Sequence, residues 1–299
     1  MSNKLLVVSG PTATGKTALA VKLAKKFNGE LISADSRQVY RGMDIGTGKD
    51  HPKNVKIHLV DVVNPDQNFS AFDYRRLVLP LIQQIWNRRK LPIIVGGTGF
   101  YINSVIAGPT DTYHIKPNKI LRFFLNKFSL KLLQSTLKFL DFQTFNLLNR
   151  SDSANPRRLI RKIEIKLFSH GITDYRLPIT NYNLLHLSLT APNRILFSRI
   201  DQRVEDRLNL GQLAEIKNLL TKYHWSDPGL KVSAYASFQK YFTQKEDYST
   251  AVLKWKFAEH RDVRRQKTWF KKRTNIIFID ITRPCFPAEV FKLVSRWYN

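Results

Sequence analysis

Residues 10–17 read GPTATGKT, which fits the pattern G-x-x-x-x-G-K-[ST]. Two glycines, a lysine and a hydroxyl at this spacing suit one kind of chemistry. Successive backbone N–H groups turn inward, and the N-terminus of a following helix adds partial positive charge. Lys16 brings a full charge to the outer oxygens of a bound phosphate, and Thr17 brings a hydroxyl able to ligate Mg²⁺. Gly10, Pro11, Thr12, Ala13, Thr14, Gly15, Lys16 and Thr17 therefore form the candidate substrate-binding loop, for a polyphosphate or a pyrophosphate. Loops of this type also serve ATP and other nucleotides, so the motif alone names neither the ligand nor the reaction.

Such a loop needs a strand before it and a helix behind it. Leu5-Leu6-Val7-Val8 is a short apolar run rich in β-branched residues, and Ala18 to Lys26 has helical spacing. A second strand is expected over Glu30-Leu31-Ile32-Ser33-Ala34, ending at Asp35-Ser36-Arg37-Gln38. Open α/β sheets place ligand-binding groups at the C-terminal ends of their parallel strands. Ile57 to Val63 reads as a third strand, Phe72 to Asn87 as a helix, and Pro92 to Thr98 as a fourth strand opening into a glycine loop. The alternation predicts an α/β, doubly wound parallel sheet of the P-loop NTPase-like kind.

Near Gly108-Pro109 the character changes to a Lys-, Leu- and Phe-rich stretch with helical spacing. The expected organisation is a first part of the core over 1–109, an inserted helical subdomain over 110–180, and the remainder of the core over 181–299. Within the insert, a helix runs from Pro156 to a stop at Gly171. Leu159, Ile163 and Leu167 form its apolar stripe, and Arg157, Arg158, Arg161 and Lys162 a basic one. Leu184 to Leu189 reads as a returning strand. A helix from Pro192 to Gly211 has Phe197, Ile200, Val204 and Leu208 facing a core, with Arg199, Arg203 and Arg207 recurring on another face. Lys254 to Lys272 is a basic helix carrying Trp255, Phe257, Trp269 and Phe270. A last strand, Ile276 to Ile281, precedes an amphipathic helix.

The 299 residues carry a formal net charge of +26. Residues 1–110 hold 15 Lys/Arg against 7 Asp/Glu, so most of the excess lies beyond the phosphate loop. A diphosphate site needs only two or three cations, and the surplus points to a polyanion, with nucleic acid the leading candidate. A hydrophobic content of 43% and an aromatic content of 12% argue against disorder. No stretch approaches the ~20 apolar residues of a membrane span. Cys285 is the only cysteine, which excludes an intrachain disulfide and a cysteine-based zinc site. The first strand starts too early to leave room for a signal peptide. A cytoplasmic monomer is expected.

These stretches resemble the tRNA dimethylallyltransferases. The resemblance is carried by GPTATGKT (10–17), ISADSRQVYRGMDIGTGK (32–49), HLVD (58–61), VGGTGFYI (95–102), NPRRLIRKIE (155–164), RIDQRVEDRL (199–208) and RRQKTWFKK (264–272). The phosphate loop is common to many families, whereas DSRQVYRGMDIGT is far more specific. Ala154-Asn155-Pro156 departs from the family's usual Pro-Asn-Asp, and Ala234 stands where a glycine is usual. The resemblance implies transfer of a dimethylallyl group from dimethylallyl diphosphate to the exocyclic amine of the adenosine 3′ of the anticodon. Asp35 then matches the family's general base and Arg203 its leaving-group arginine, working with Lys16 and with Thr17 and Mg²⁺. Contacts to the tRNA anticodon loop are expected from Asp35, Ser36, Arg37, Gln38, Thr98, Arg157, Arg158, Arg161, Arg265 and Gln266. Read without the resemblance, the loop and sheet also fit a P-loop kinase of a nucleoside, nucleotide or small metabolite. An adenylate isopentenyltransferase, or a non-catalytic RNA-binding protein, would likewise share the loop.

Overall fold

The computed structural model describes residues 3–49, 52, 55–106, 115–168 and 182–299. They form two compact units, one of 1–106 with 181–299 and the other of 107–180.

The first unit is built on six parallel strands: β1 (Asn3–Ser9), β2 (Gly29–Ser33), β3 (Ile57–His58), β4 (Leu91–Gly96), β5 (Tyr182–Thr190) and β6 (Ile277–Asp280). Their order in the sheet is β3-β2-β4-β1-β5-β6. From β1 the chain steps to one side for β2 and β3, and after β4 it steps to the other side for β5 and β6. Crossovers that run in opposite directions across a parallel sheet, with the right hand such connections take as a rule, place helices on both faces, the doubly wound arrangement. The central strands are apolar on both faces: Leu5, Leu6, Val7 and Val8 are fully buried, as are Leu31, Ile32, Ile93 and Ile94.

α1 (Lys16–Lys26) follows the phosphate loop, and α2 (Ala71–Asn87) starts at a capping box in which Ser70 and Asp73 satisfy each other's backbone N–H groups. α3 (Gly99–Ile106) leaves β4. The second unit contains α4 (Lys119–Leu125), α5 (Leu130–Leu140), α6 (Phe142–Asn146), α7 (Arg150–Ser153) and α8 (Pro156–Phe168). Its core is Leu125, Leu133, Leu137, Leu159, Ile160 and Ile163. Back in the first unit come α9 (Asn193–Asn209), α10 (Gln212–Leu219), the short α11 (Ser233–Ala236) and α12 (Gln239–Phe242), then α13 (Tyr248–Lys271) and α14 (Phe286–Tyr298).

Several expectations need correction. The third strand stops at His58 instead of Val63, because Leu59 and Asp61 take left-handed φ values of 61° and 56°. Asp61 and Val62 instead donate their N–H groups to Gln38 and Val39 carbonyls. Leu167 is exposed, and Ile160 takes its place in the insert's core. On α9, Leu196 is buried with Ile200 and Val204, whereas Phe197 is half-buried and stacks on His260. Leu208 is also half-buried. The basic helix begins at Tyr248, where Asp247 caps it, six residues before the expected start. The Gly108-Pro109 change and the Gly171 stop lie outside the described residues.

Candidate active site

Because all six strands are parallel, their C-terminal ends share one edge of the sheet, and a cleft of about 1540 Å³ opens there. Thr12, Ala13, Gly15, Lys16 and Thr17 line it, together with Asp35, Ser36, Arg37, Gln38 and Thr98. Arg199, Arg203 and Arg207 from α9 and Arg265 from α13 add a cationic wall, beside which lies the neutral amide of Gln266.

The phosphate loop is shaped by sterics. Gly10 has φ 137°, and a Cβ there would sit 2.4 Å from the Leu189 carbonyl oxygen. Gly15 has φ 78° at the N-cap of α1. That helix start has no side-chain cap and no acidic residue in its first turn, so its N–H groups and dipole face the cleft unneutralised. Thr14 Oγ1 and Lys16 Nζ both donate to the Pro11 carbonyl, each at 2.9 Å, which closes the loop on itself.

Asp35 lies two residues beyond the end of β2. Its Oδ1 accepts the Arg37 N–H at 2.9 Å, a turn that fixes the carboxylate. Thr98 Oγ1 accepts the Ser36 N–H at 2.9 Å and donates to Ser36 Oγ at 3.2 Å, tying the glycine loop after β4 to the segment after β2. At Gly96 a Cβ would lie 2.2 Å from the Ala34 carbonyl oxygen, so only glycine lets these two strand ends approach.

The arginines differ in their commitments. Arg203 Nη1 reaches Thr12 Oγ1 at 3.4 Å, and Arg199 Nη1 reaches the Ala13 carbonyl at 3.4 Å, both long contacts onto the phosphate loop. Arg207 donates to the Gly46 carbonyl at 3.1 Å. Burial, and then the like charge of Arg203, lower its guanidinium to about 10. Arg37 by contrast pairs with Glu259 at 2.7 Å and with Asp262. Burial works against its charge, but the Glu259 and Asp35 carboxylates outweigh it and raise its pKa. Glu259 is buried too. Arg37, Arg207, Ser233 and Trp255 overcome that burial and hold it below the usual carboxylate range. Arg265 pairs with Asp262 on the same helix.

Gln38 spans Ser33 Oγ at 3.1 Å and the Gly48 carbonyl at 3.2 Å. Gln266 accepts the Thr12 N–H at 3.0 Å and donates to the Gly97 carbonyl at 3.1 Å. Arg157, Arg158 and Arg161 belong to the second unit. There Arg157 is exposed, Arg158 pairs with Asp152, and Arg161 donates to the Ile115 carbonyl at 2.8 Å and to buried Glu164 at 3.3 Å.

Sequence reasoning missed Glu259 and Asp262. They are an i, i+3 acidic pair on an otherwise basic helix, and that contrast was the available signal. It also missed Glu215, whose carboxylate accepts the Asp44, Ile45 and Gly46 N–H groups at 2.8, 2.8 and 3.0 Å and the Tyr235 hydroxyl at 2.7 Å. No local pattern marks it.

Among the described residues no group of three or more His, Cys, Asp or Glu could hold a metal. Thr17 offers a hydroxyl at the loop, so most ligands would come from the anion and water, as hard, reluctantly dehydrated Mg²⁺ prefers.

Residues 38–273 match the family described as IPP transferase. The chain is 39% identical to a tRNA dimethylallyltransferase of Lactococcus lactis subsp. cremoris, covering 100% of this chain and 99% of that one. It is 35% identical to a tRNA dimethylallyltransferase of Roseiflexus, covering 99% of each. Among solved structures, the tRNA isopentenylpyrophosphate transferase of Bacillus halodurans superposes with a TM-score of 0.74 at 32% identity, covering 99% of this chain and 97% of that one. A eukaryotic dimethylallyltransferase described as acting on tRNA superposes with a TM-score of 0.82 at 26% identity, covering 99% and 79%. With a matched segment spanning most of the chain and full-length relatives above 30% identity, this chain belongs to the IPP transferase family.

Proposed function

We propose that this chain transfers the dimethylallyl group of dimethylallyl diphosphate to the exocyclic amine of the adenosine 3′ of the anticodon in tRNA, releasing diphosphate. The observation that carries the reading is that one cleft is lined by both Lys16 on the amide-lined loop after β1 and Asp35 beyond the end of β2, two strands away across β4. An anion and a proton acceptor can therefore act on one bound pair of substrates.

An adenine amine is a poor nucleophile because its lone pair is delocalised into the ring. The allylic carbon becomes a good electrophile once negative charge on the departing diphosphate is neutralised. Lys16, Arg203 and the loop N–H groups receive that charge, the planar guanidinium of Arg203 matching two oxygens. As the N–C bond forms, the C–O bond breaks and its electron pair leaves with diphosphate. The amine, now cationic, gives its proton to the Asp35 carboxylate oxygen that the Arg37 N–H does not occupy. A carboxylate is a weak base toward a neutral amine and an adequate one toward a cationic amine. The Thr17 hydroxyl would hold Mg²⁺, which would supply further charge neutralisation.

To reach the cleft the adenosine must leave its stack. Ser36 and Thr98 beside Asp35, and Arg265 on α13, are the proposed contacts to it and its neighbours. The 110–180 segment is the proposed tRNA-binding subdomain, with Arg157 and Arg158 among its contacts. Arg37, Gln38, Arg161 and Gln266 each bond to two or more groups of the protein at once, so their role toward RNA is to support the surface rather than to touch it first. Labelled dimethylallyl diphosphate incubated with the protein, unmodified tRNA, ATP and AMP tests the reading. Label on the adenosine beside the anticodon is expected. Phosphate transferred from ATP, or label on free adenine nucleotides alone, would refute it.

A further inference from the structure

One side chain joins the two halves of the cleft. Gln266, on the cleft-facing side of α13, accepts the N–H of Thr12 on the phosphate loop at 3.0 Å. Its amide nitrogen donates to the carbonyl of Gly97 at 3.1 Å. From each of these partners the hydrogen bonding continues outward. The Thr12 hydroxyl is reached by Arg203 at the leaving-group end. Gly97 is followed by Thr98, which holds Ser36 by two bonds, and Ser36 follows Asp35 in the chain.

Arg203, Thr12, Gln266, Gly97-Thr98 and Ser36-Asp35 thus make one connected path from the cation that meets the diphosphate to the carboxylate that meets the amine. The packing around the amide is as specific as its bonding. A Cβ on Gly97 would stand 2.4 Å from Gln266 Nε2, so any side chain there would push the amide out of its place. Both ends of the amide are used, since its oxygen takes the N–H and its nitrogen gives to the carbonyl, an arrangement that no other side chain of this length reproduces.

We propose that Gln266 is a positioning residue that sets the spacing between the diphosphate loop and the Asp35 strand end, and is not a contact to tRNA. The idea rests on the transfer reaction proposed above. Thr12's N–H is consumed by this strut, which leaves the later loop amides for the diphosphate. Loosening the strut leaves each half-site intact but lets them drift relative to one another. Misplacement of about 1 Å between reacting groups costs on the order of 10²-fold in rate.

The test uses the full chain with Gln266→Met, which keeps the length and loses both bonds, and Gln266→Asn, which keeps both groups but is one methylene short of spanning the two loops. Single-turnover transfer at saturating labelled dimethylallyl diphosphate and tRNA is measured beside the Kd values for inorganic diphosphate and for tRNA. Both variants are expected to lose roughly 10- to 100-fold in the transfer rate, with both Kd values within about threefold of wild type. Gly97→Ala, which displaces the same amide, is expected to show the same split, and to add little when combined with Gln266→Met. A tenfold weaker tRNA Kd with an unchanged rate at saturation would overturn the proposal in favour of a direct RNA contact. Unchanged values throughout would overturn it as well. Failure of the transfer reading shows separately, as absence of label in tRNA with the wild-type chain.

Discussion

Arg203 and Arg37 both line the cleft, but among the described residues Arg203 reaches the Thr12 hydroxyl at 3.4 Å and no carboxylate, while Arg37 is held between Glu259 and Asp262. A guanidinium without a carboxylate partner is available to an incoming anion; one between two carboxylates is part of the frame. Arg203→Ala is accordingly expected to cut kcat by roughly 10²- to 10³-fold, the scale seen when one donor to a developing anion is removed, with the unfolding midpoint in urea little changed. Arg37→Met should do the reverse first. It takes the shared partner from Glu259 and Asp262, leaving Glu259 to Ser233, Trp255 and Arg207 and Asp262 to Arg265, and a cost of about 1–3 kcal/mol is expected, which urea unfolding would read directly. The i, i+4 stripe of Arg199, Arg203 and Arg207 is visible in the amino-acid order, because helical spacing is a local property. Which arginine carries a counter-ion is not, because Arg37 and Glu259 are 222 positions apart.

At the scale of elements, strands and helices were readable wherever hydrophobic runs and caps were local. β1, β2 and β4 are placed to within a residue or two, whereas Ile57–Val63 misled because its apolar residues satisfy a loop that pairs with 38–41. The loop over 44–48 is likewise held by a distant group. Glu215→Ala would orphan three backbone N–H groups and the buried Tyr235 hydroxyl, and a cost of about 1–3 kcal/mol is expected. Faster amide exchange confined first to residues 44–48 would check it. β1 and β5 meet through Ser9 Oγ and His186 Nε2 at 2.8 Å beneath the phosphate loop. Burial lowers the imidazole to about 4. The unfolded ring binds a proton near pH 6.5 and the folded ring only near 4, so the neutral ring's stability is complete above 6.5 and is lost as pH falls from 6.5 toward 4. At pH 5 the loss should be roughly 2 kcal/mol. Glu30 responds lower down. Burial opposes its charge, but hydrogen bonds from His58, Arg88 and Lys90 outweigh that and bring it to about 2, so its contribution is lost between about 4.5 and 2. Urea midpoints measured from pH 7 to 4 should therefore fall, and His186→Asn should flatten that slope.

At the scale of the molecule, the charge of +26 is distributed over both units, and its surplus is what first pointed away from a small-metabolite kinase. No described helix is long and apolar enough to cross a membrane. If the surplus meets phosphates, log Kd for tRNA rises with log salt. Replacing the exposed Arg157 and Lys162 by alanine should reduce that slope by about 0.7 to 0.9 for each phosphate that is no longer neutralised. The chemistry itself rests on one spatial fact, that a phosphate loop and a strand-end carboxylate open into one cleft. The most direct measurement compares Asp35→Asn with wild type for single-turnover transfer of the dimethylallyl group to tRNA, alongside the Kd for diphosphate. The expected result is a rate lower by roughly 10²-fold or more with diphosphate binding nearly intact. A rate equal to wild type would contradict the account, because it would take the proton acceptor out of the cleft on which everything above depends.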